Sequence, residues 1–176
     1  MKPLFTFALI SLLLLAPLQG GAAGPGPGAP AKPISLKAGI VAPDFTLKTP
    51  EGKSLTLRSF RGQPVLINFW ATWCGPCVEE MHILQKISKE WADKGLVILG
   101  INEGDPVQKV TGFIQRYGIS FPVLMDGDQE VARLYSVRYM PTSVVLDKEG
   151  VIQVVAFGGF DTKEKLVSKL LSKVGK

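Results

Sequence analysis

The sequence predicts an α/β protein in which helices cover a mixed β-sheet. Three observations carry that expectation. Short apolar runs at residues 65–70, 96–101 and 143–146 have the length and β-branched content of buried strands. Apolar residues at helical spacing follow the first two runs and recur near the C-terminus. Turn residues divide alternating segments into a hairpin early in the chain and another late in it.

The elements follow in order. Residues 45–48 and 55–58 alternate apolar with polar around the turn Pro50-Glu51-Gly52-Lys53, a half-exposed hairpin. The strand at 65–70 leads into a helix from about residue 74 to 94, stopped at Gly95. A buried-type strand covers 96–101. Asp105-Pro106 opens a helix with Val107, Val110, Ile114 and Tyr117 on one face. A short strand at 121–125 and a short helix around Val131, Leu134 and Tyr135 come next. Residues 143–146 and 151–157 flank the turn Lys148-Glu149-Gly150. Asp161 and Glu164 form a capping box for a last helix lined by Leu166, Val167, Leu170 and Leu171.

A chain of 176 residues supplies one domain with a real core and too little for two. The +5 net charge is modest, and the C-terminal lysines are spread through a helical pattern, as on a solvated face. No interleaving of aromatics with Arg and Lys marks a nucleic-acid binder. Residues 1–23 open with Lys2, continue through an apolar stretch and end in small residues, the pattern of a signal peptide or an N-terminal anchor. Residues 24–36, rich in Gly, Pro and Ala, read as a tether, and 37–176 as the folded domain. Export would place the protein in the periplasm or at the outer face of the cytoplasmic membrane, where disulfides persist unless something reduces them.

Cys74 and Cys77 are the only cysteines, and one His beside one Cys pair is too few soft ligands for a metal module. No metal or cofactor is expected. Thiols at i and i+3 on a first helical turn lie close enough to bridge. Cys74 comes first, where unpaired N–H groups and the helix dipole favour an anion, so its pKa should fall below the free-thiol value of about 8.5. That makes Cys74 the nucleophile and Cys77 the thiol that resolves the mixed disulfide. Gly75 offers no side chain to obstruct a partner, and Pro76 suits a first turn. Trp70 and Trp73 either shield the site or pack as ordinary core and rim. Glu80 falls in the middle of the apolar arc of Ile83, Leu84, Ile87 and Trp91. Burying a carboxylate is costly and raises its pKa towards that of a general base, so Glu80 is the candidate for moving the proton of Cys77. Glu79 and His82 point away from that arc and read as surface. Pro141, at a strand start after a loop, is a candidate cis-proline.

The run from Val65 to Cys77, ending Trp-Cys-Gly-Pro-Cys, closely resembles the active-site strand and helix start of thioredoxins, and Met140-Pro141-Thr142 resembles their cis-proline loop. The signal segment, the opening hairpin, Glu80 and the added segment at 102–125 narrow the resemblance to the exported TlpA/ResA-type reductases within the redoxin, AhpC/TSA-like branch. It covers about 140 residues, essentially everything after the tether. It implies a thioredoxin-like fold with an N-terminal hairpin and a central αβ insertion. It also implies Cys74 as attacking thiol, Cys77 as resolving thiol, Glu80 as the buried acid, and Pro141 in cis beside the disulfide. Trp73, Gly75, Pro76 and Met140 would meet the substrate, with the Met140 backbone pairing with an extended segment. Two departures stand out. Asn68 occupies the place of the buried thioredoxin aspartate, and His82 replaces the proline that usually follows the glutamate.

The Gly-Pro pair between the cysteines resembles that of the reducing thioredoxins, near −270 mV, rather than the strong periplasmic oxidant near −120 mV, a gap of roughly 7 kcal/mol. A disulfide reductase is therefore expected, acting as a monomer. The resemblance implies clients such as apo-cytochrome c or copper-site assembly proteins and a membrane thiol carrier as electron donor. A disulfide-donating oxidant and a thiol-dependent peroxidase are the alternatives. The latter usually carries Thr or Ser three residues before its cysteine, where this chain has Ala71.

Overall fold

The computed structural model describes residues 33–158. The segment at 1–23, most of the tether and the capping-box helix lie outside the described residues.

The apolar run Val65–Trp70 becomes β3, buried at every position. Val97–Glu103 (β4) and Val123–Asp126 (β5) run parallel beside it, while Thr142–Leu146 (β6) and Ile152–Phe157 (β7) pair antiparallel on its other side. The opening hairpin supplies β1 (Thr46–Lys48) and β2 (Ser54–Thr56), with β1 joined to β5. Among the described residues, these seven strands form one mixed sheet in the order β2-β1-β5-β4-β3-β6-β7. The helices α1 (Gly75–Glu90), α2 (Val107–Tyr117) and α3 (Glu130–Leu134) complete the α/β architecture that the sequence predicts.

Side chains alternate across a strand, so β3 feeds two cores. Leu66 and Trp70 join Met81, Leu84, Ile98, Val110 and Val145 on the side of α1 and α2. Val65, Ile67 and Phe69 join Leu99, Leu124, Val144 and Tyr135 on the side of α3. Gly100 on β4 makes room for Trp70: a Cβ there would sit 3.3 Å from the indole Nε1 and 3.1 Å from the Phe121 ring.

Three local expectations need correction. Residues 57–58 leave the strand for a 3-10 turn, Leu57–Phe60, because the Asp44 carboxylate accepts both the backbone N–H and the side-chain Nε–H of Arg58 and pulls the chain round. The helix expected to reach residue 94 ends at Glu90 and is followed by a 3-10 turn, Ala92–Lys94, which Gly95 closes at φ +75°. Val107, expected on the inner face of α2, is its first residue and is 42% exposed; Val110 and Phe113 are the inward residues, and Phe113 lies 4.8 Å from Trp70 between ring centroids.

Candidate functional site

The loop after β3 delivers Cys74 as the N-cap of α1, in extended conformation, with Pro76 in the first turn. The Cys74 carbonyl accepts the N–H groups of Cys77 (3.0 Å) and Val78 (3.1 Å), so the helix begins on the cysteine itself. The two sulfurs are bonded at 2.05 Å, with Cα atoms 5.2 Å apart. Cys74 keeps 7% of its surface and Cys77 only 1%, which makes residue 74 the outer member of the pair. Trp73, Gly75 and Pro76 are exposed around it. Trp73 stands 69% exposed, whereas Trp70 is wholly buried and belongs to the core.

The peptide between Met140 and Pro141 is cis. Pro141 is buried, and Met140 packs half-buried against the apolar cluster that contains both cysteines. The loop is pinned by the Thr142 hydroxyl donating to the Tyr139 carbonyl (2.6 Å) and by the Gly158 N–H donating to the Pro141 carbonyl (2.9 Å).

Glu80, one turn after Cys77, is 1% exposed. Its Oε1 accepts a hydrogen bond from the Ser143 hydroxyl at 3.3 Å, and Ser143 Oγ accepts one from the Asn68 amide at 3.0 Å. Asn68 and Ser143 are direct partners in the β3–β6 register. His82 is exposed, but its ring packs edge-on against Tyr117 of α2 at 5.3 Å, a contact its surface placement did not foretell.

Two polar groups that sequence reasoning missed flank the strand ends. Asp105, expected only to open α2, makes no cap. It accepts the backbone N–H (2.7 Å) and hydroxyl (2.8 Å) of Thr72 and the Asn102 amide (2.9 Å), tying the loop before Cys74 to the end of β4. Glu103 lies opposite Asp126 across β4 and β5. Burial, and secondarily the Asp126 charge, pushes the Glu103 carboxyl up to about 7. Burial also raises Asp126, although that group accepts the Val131 and Ala132 N–H groups at the start of α3. The signal for Asp105 was its Thr72 partner, a hydroxyl next to the redox motif; no local pattern marks Glu103.

Among the described residues no group of His, Cys, Asp and Glu is placed to hold a metal ion, and no helix is long and apolar enough to cross a membrane.

Residues 38–155 match the AhpC/TSA family. The chain is 39% identical over 141 residues to the thioredoxin-like protein YneN of Bacillus subtilis, covering 79% of this chain and 82% of that one. It is 36% identical over 138 residues to the thiol-disulfide oxidoreductase ResA of Geobacillus thermodenitrificans, covering 78% and 79%. A crystal structure from Chlorobium tepidum, described as a thiol:disulfide interchange protein DsbE, superposes with a TM-score of 0.76 at 27% identity, covering 81% of this chain and all of that one. With this fold, these relatives and a bonded cysteine pair at the start of α1, the chain belongs to the AhpC/TSA family, in its thioredoxin-like, ResA-type branch, and is a thiol-disulfide oxidoreductase.

Proposed function

We propose that the protein reduces disulfides of exported client proteins by dithiol exchange through Cys74 and Cys77. The observation that carries this reading is the arrangement at the head of α1: the outer cysteine caps the helix, its mate is buried a turn inside, and a carboxylate is buried one turn further on.

In the reduced form, the Cys74 thiolate attacks one sulfur of a client disulfide. A bond forms between Cys74 and that sulfur, and the client's other sulfur leaves as a thiolate that takes up a proton. Cys77 gives its proton to Glu80 and attacks Cys74 Sγ. The mixed disulfide breaks, the second client sulfur departs as a thiolate, and Cys74–Cys77 closes. Two electrons have passed to the client. The exposed surface of Trp73, Gly75 and Pro76 receives the client, and the Met140 backbone, held by Pro141, pairs with its extended segment. A membrane thiol carrier then restores the dithiol. Clients of the apo-cytochrome c or copper-site assembly type fit a reductase whose N-terminal segment directs export.

Trapping tests this. Cys77→Ser should capture clients as mixed disulfides that reductant releases, while Cys74→Ser captures none and loses insulin reduction. A Cys77→Ser protein that traps nothing in extract from its own compartment counts against the roles, and brisk peroxide consumption by the parent would favour the peroxidase reading.

A further inference from the structure

We propose that Ser143 and Asn68 are positioning residues for Glu80: the Asn68 amide occupies a lone pair of the Ser143 oxygen and so aims the hydroxyl proton at Glu80 Oε1, keeping that carboxylate ionised and ready for the Cys77 proton. The proposal deepens the dithiol mechanism and rests on Glu80 serving as base there.

The geometry begins with strand alternation. Asn68 shares the α1-facing side of β3 with Leu66 and Trp70, and Ser143 shares that side of β6 with Val145. Register sets the two opposite one another. Asn68, Ser143 and Glu80 are 1%, 2% and 1% exposed, so they form a polar chain inside an apolar layer. A hydroxyl has one proton and two lone pairs. With the Asn68 N–H donating to Ser143 Oγ at 3.0 Å, the hydroxyl proton is directed to the carboxylate at 3.3 Å. A donor aimed at a carboxylate favours its charged form and opposes the effect of burial. The 3.3 Å separation is long for a hydroxyl donor, as contacts in resting active sites often are.

The identity of residue 68 matters in this scheme. A carboxylate there would itself accept the hydroxyl proton, and Glu80 would lose this donor. An amide at 68 and an acid at 80 are thus complementary choices.

β3, β6 and β7 carry no acid or base at all. On α1, the titratable residues within a turn are Cys77, Glu79 and His82; the last two are exposed, and His82 is turned about 200° from Glu80, where α2 brings Tyr117 to it.

The test follows the Glu80 carboxyl by carbon-13 NMR in the disulfide form of the full chain, where the cysteines do not titrate, and the pH–rate profile of insulin reduction alongside. Ser143→Ala should raise the Glu80 midpoint by about one pH unit and carry the acidic limb of the rate profile with it. Ser143→Thr, which retains the hydroxyl, should restore both. Asn68→Leu, which removes the amide donor without adding charge, frees the hydroxyl to turn away from Glu80 and should also raise the midpoint, an independent arm should the alanine variant fold poorly. An unchanged midpoint in both Ser143→Ala and Asn68→Leu, or a threonine variant that shifts as far as alanine, overturns the proposal. A midpoint that moves while the rate profile stays fixed supports the positioning of Glu80 and removes Glu80 as the base.

Discussion

Thr72 and Asp105 meet twice, through the backbone N–H and through the hydroxyl of Thr72, each donating to a different carboxylate oxygen at 2.7 and 2.8 Å. Thr72 lies two residues before Cys74, and Asp105 lies just beyond β4. The turn that leads into the cysteine pair is therefore anchored to a strand end 33 residues away in sequence.

Asp105→Ala strips three donors of their acceptor in a buried place. Unpartnered buried donors are expensive, so a loss of about 2–4 kcal/mol is expected in urea unfolding. The turn bearing Trp73 and Cys74 loses its tie, and insulin reduction should fall roughly tenfold through misplacement of the thiol. Asp105→Asn, which keeps one acceptor, should fall between this variant and the parent.

Glu103 predicts a pH-dependent stability. Its folded-state pKa, about 7, stands above the ordinary 4.5, so between those values the folded protein binds more protons than the unfolded chain. The stabilising contribution is complete below pH 4.5 and is lost as pH rises through about 7. Asp126, raised by the same burial, acts in the same direction. The full swing from Glu103 is at most about 3 kcal/mol. Glu103→Gln should flatten this part of the curve and stabilise the protein at pH 8, as read by denaturant midpoints at pH 5 and pH 8. Equal slopes in parent and variant would refute the assignment.

Gly100→Ala places a methyl against Phe121 and the Trp70 indole. Overpacking of this kind costs about 1–3 kcal/mol. Because Trp70 sits in the same apolar cluster as both cysteines, near-UV circular dichroism should change along with stability, whereas Gly112→Ala, which meets nothing within 4 Å, should leave that spectrum alone.

Tyr135 is wholly buried and donates its hydroxyl to the Pro43 carbonyl at 2.6 Å. Burial drives its ionisation far above the usual phenol range. Tyr135→Phe should lose about 1–2 kcal/mol in urea unfolding by leaving that carbonyl without its donor, with insulin reduction unchanged.

What the sequence revealed was local. The buried run 65–70 declared itself by composition, the cysteine pair by spacing, and the burial of Glu80 by helical periodicity, because each depends on residues a few places apart. Asn68 and Ser143 are 75 residues apart and meet only because β3 neighbours β6, which no pattern within either segment encodes. Glu103 and Asp126 are hidden for the same reason, being paired by the β4–β5 register. Asp105-Pro106 does stand at the start of α2, but the Asp105 side chain is taken by Thr72, 33 residues earlier, which no local pattern marks. The strand expected through Arg58 failed on the carboxylate of Asp44, 14 residues earlier.

Only three positions separate the bonded cysteines. So small a ring restricts an unravelled polypeptide far less than a bridge across the domain would: about 2 kcal/mol, against nearly 5 for a hundred-residue loop. The two redox forms can thus share one architecture, and a molecule that cycles between them need never put its own structure at risk.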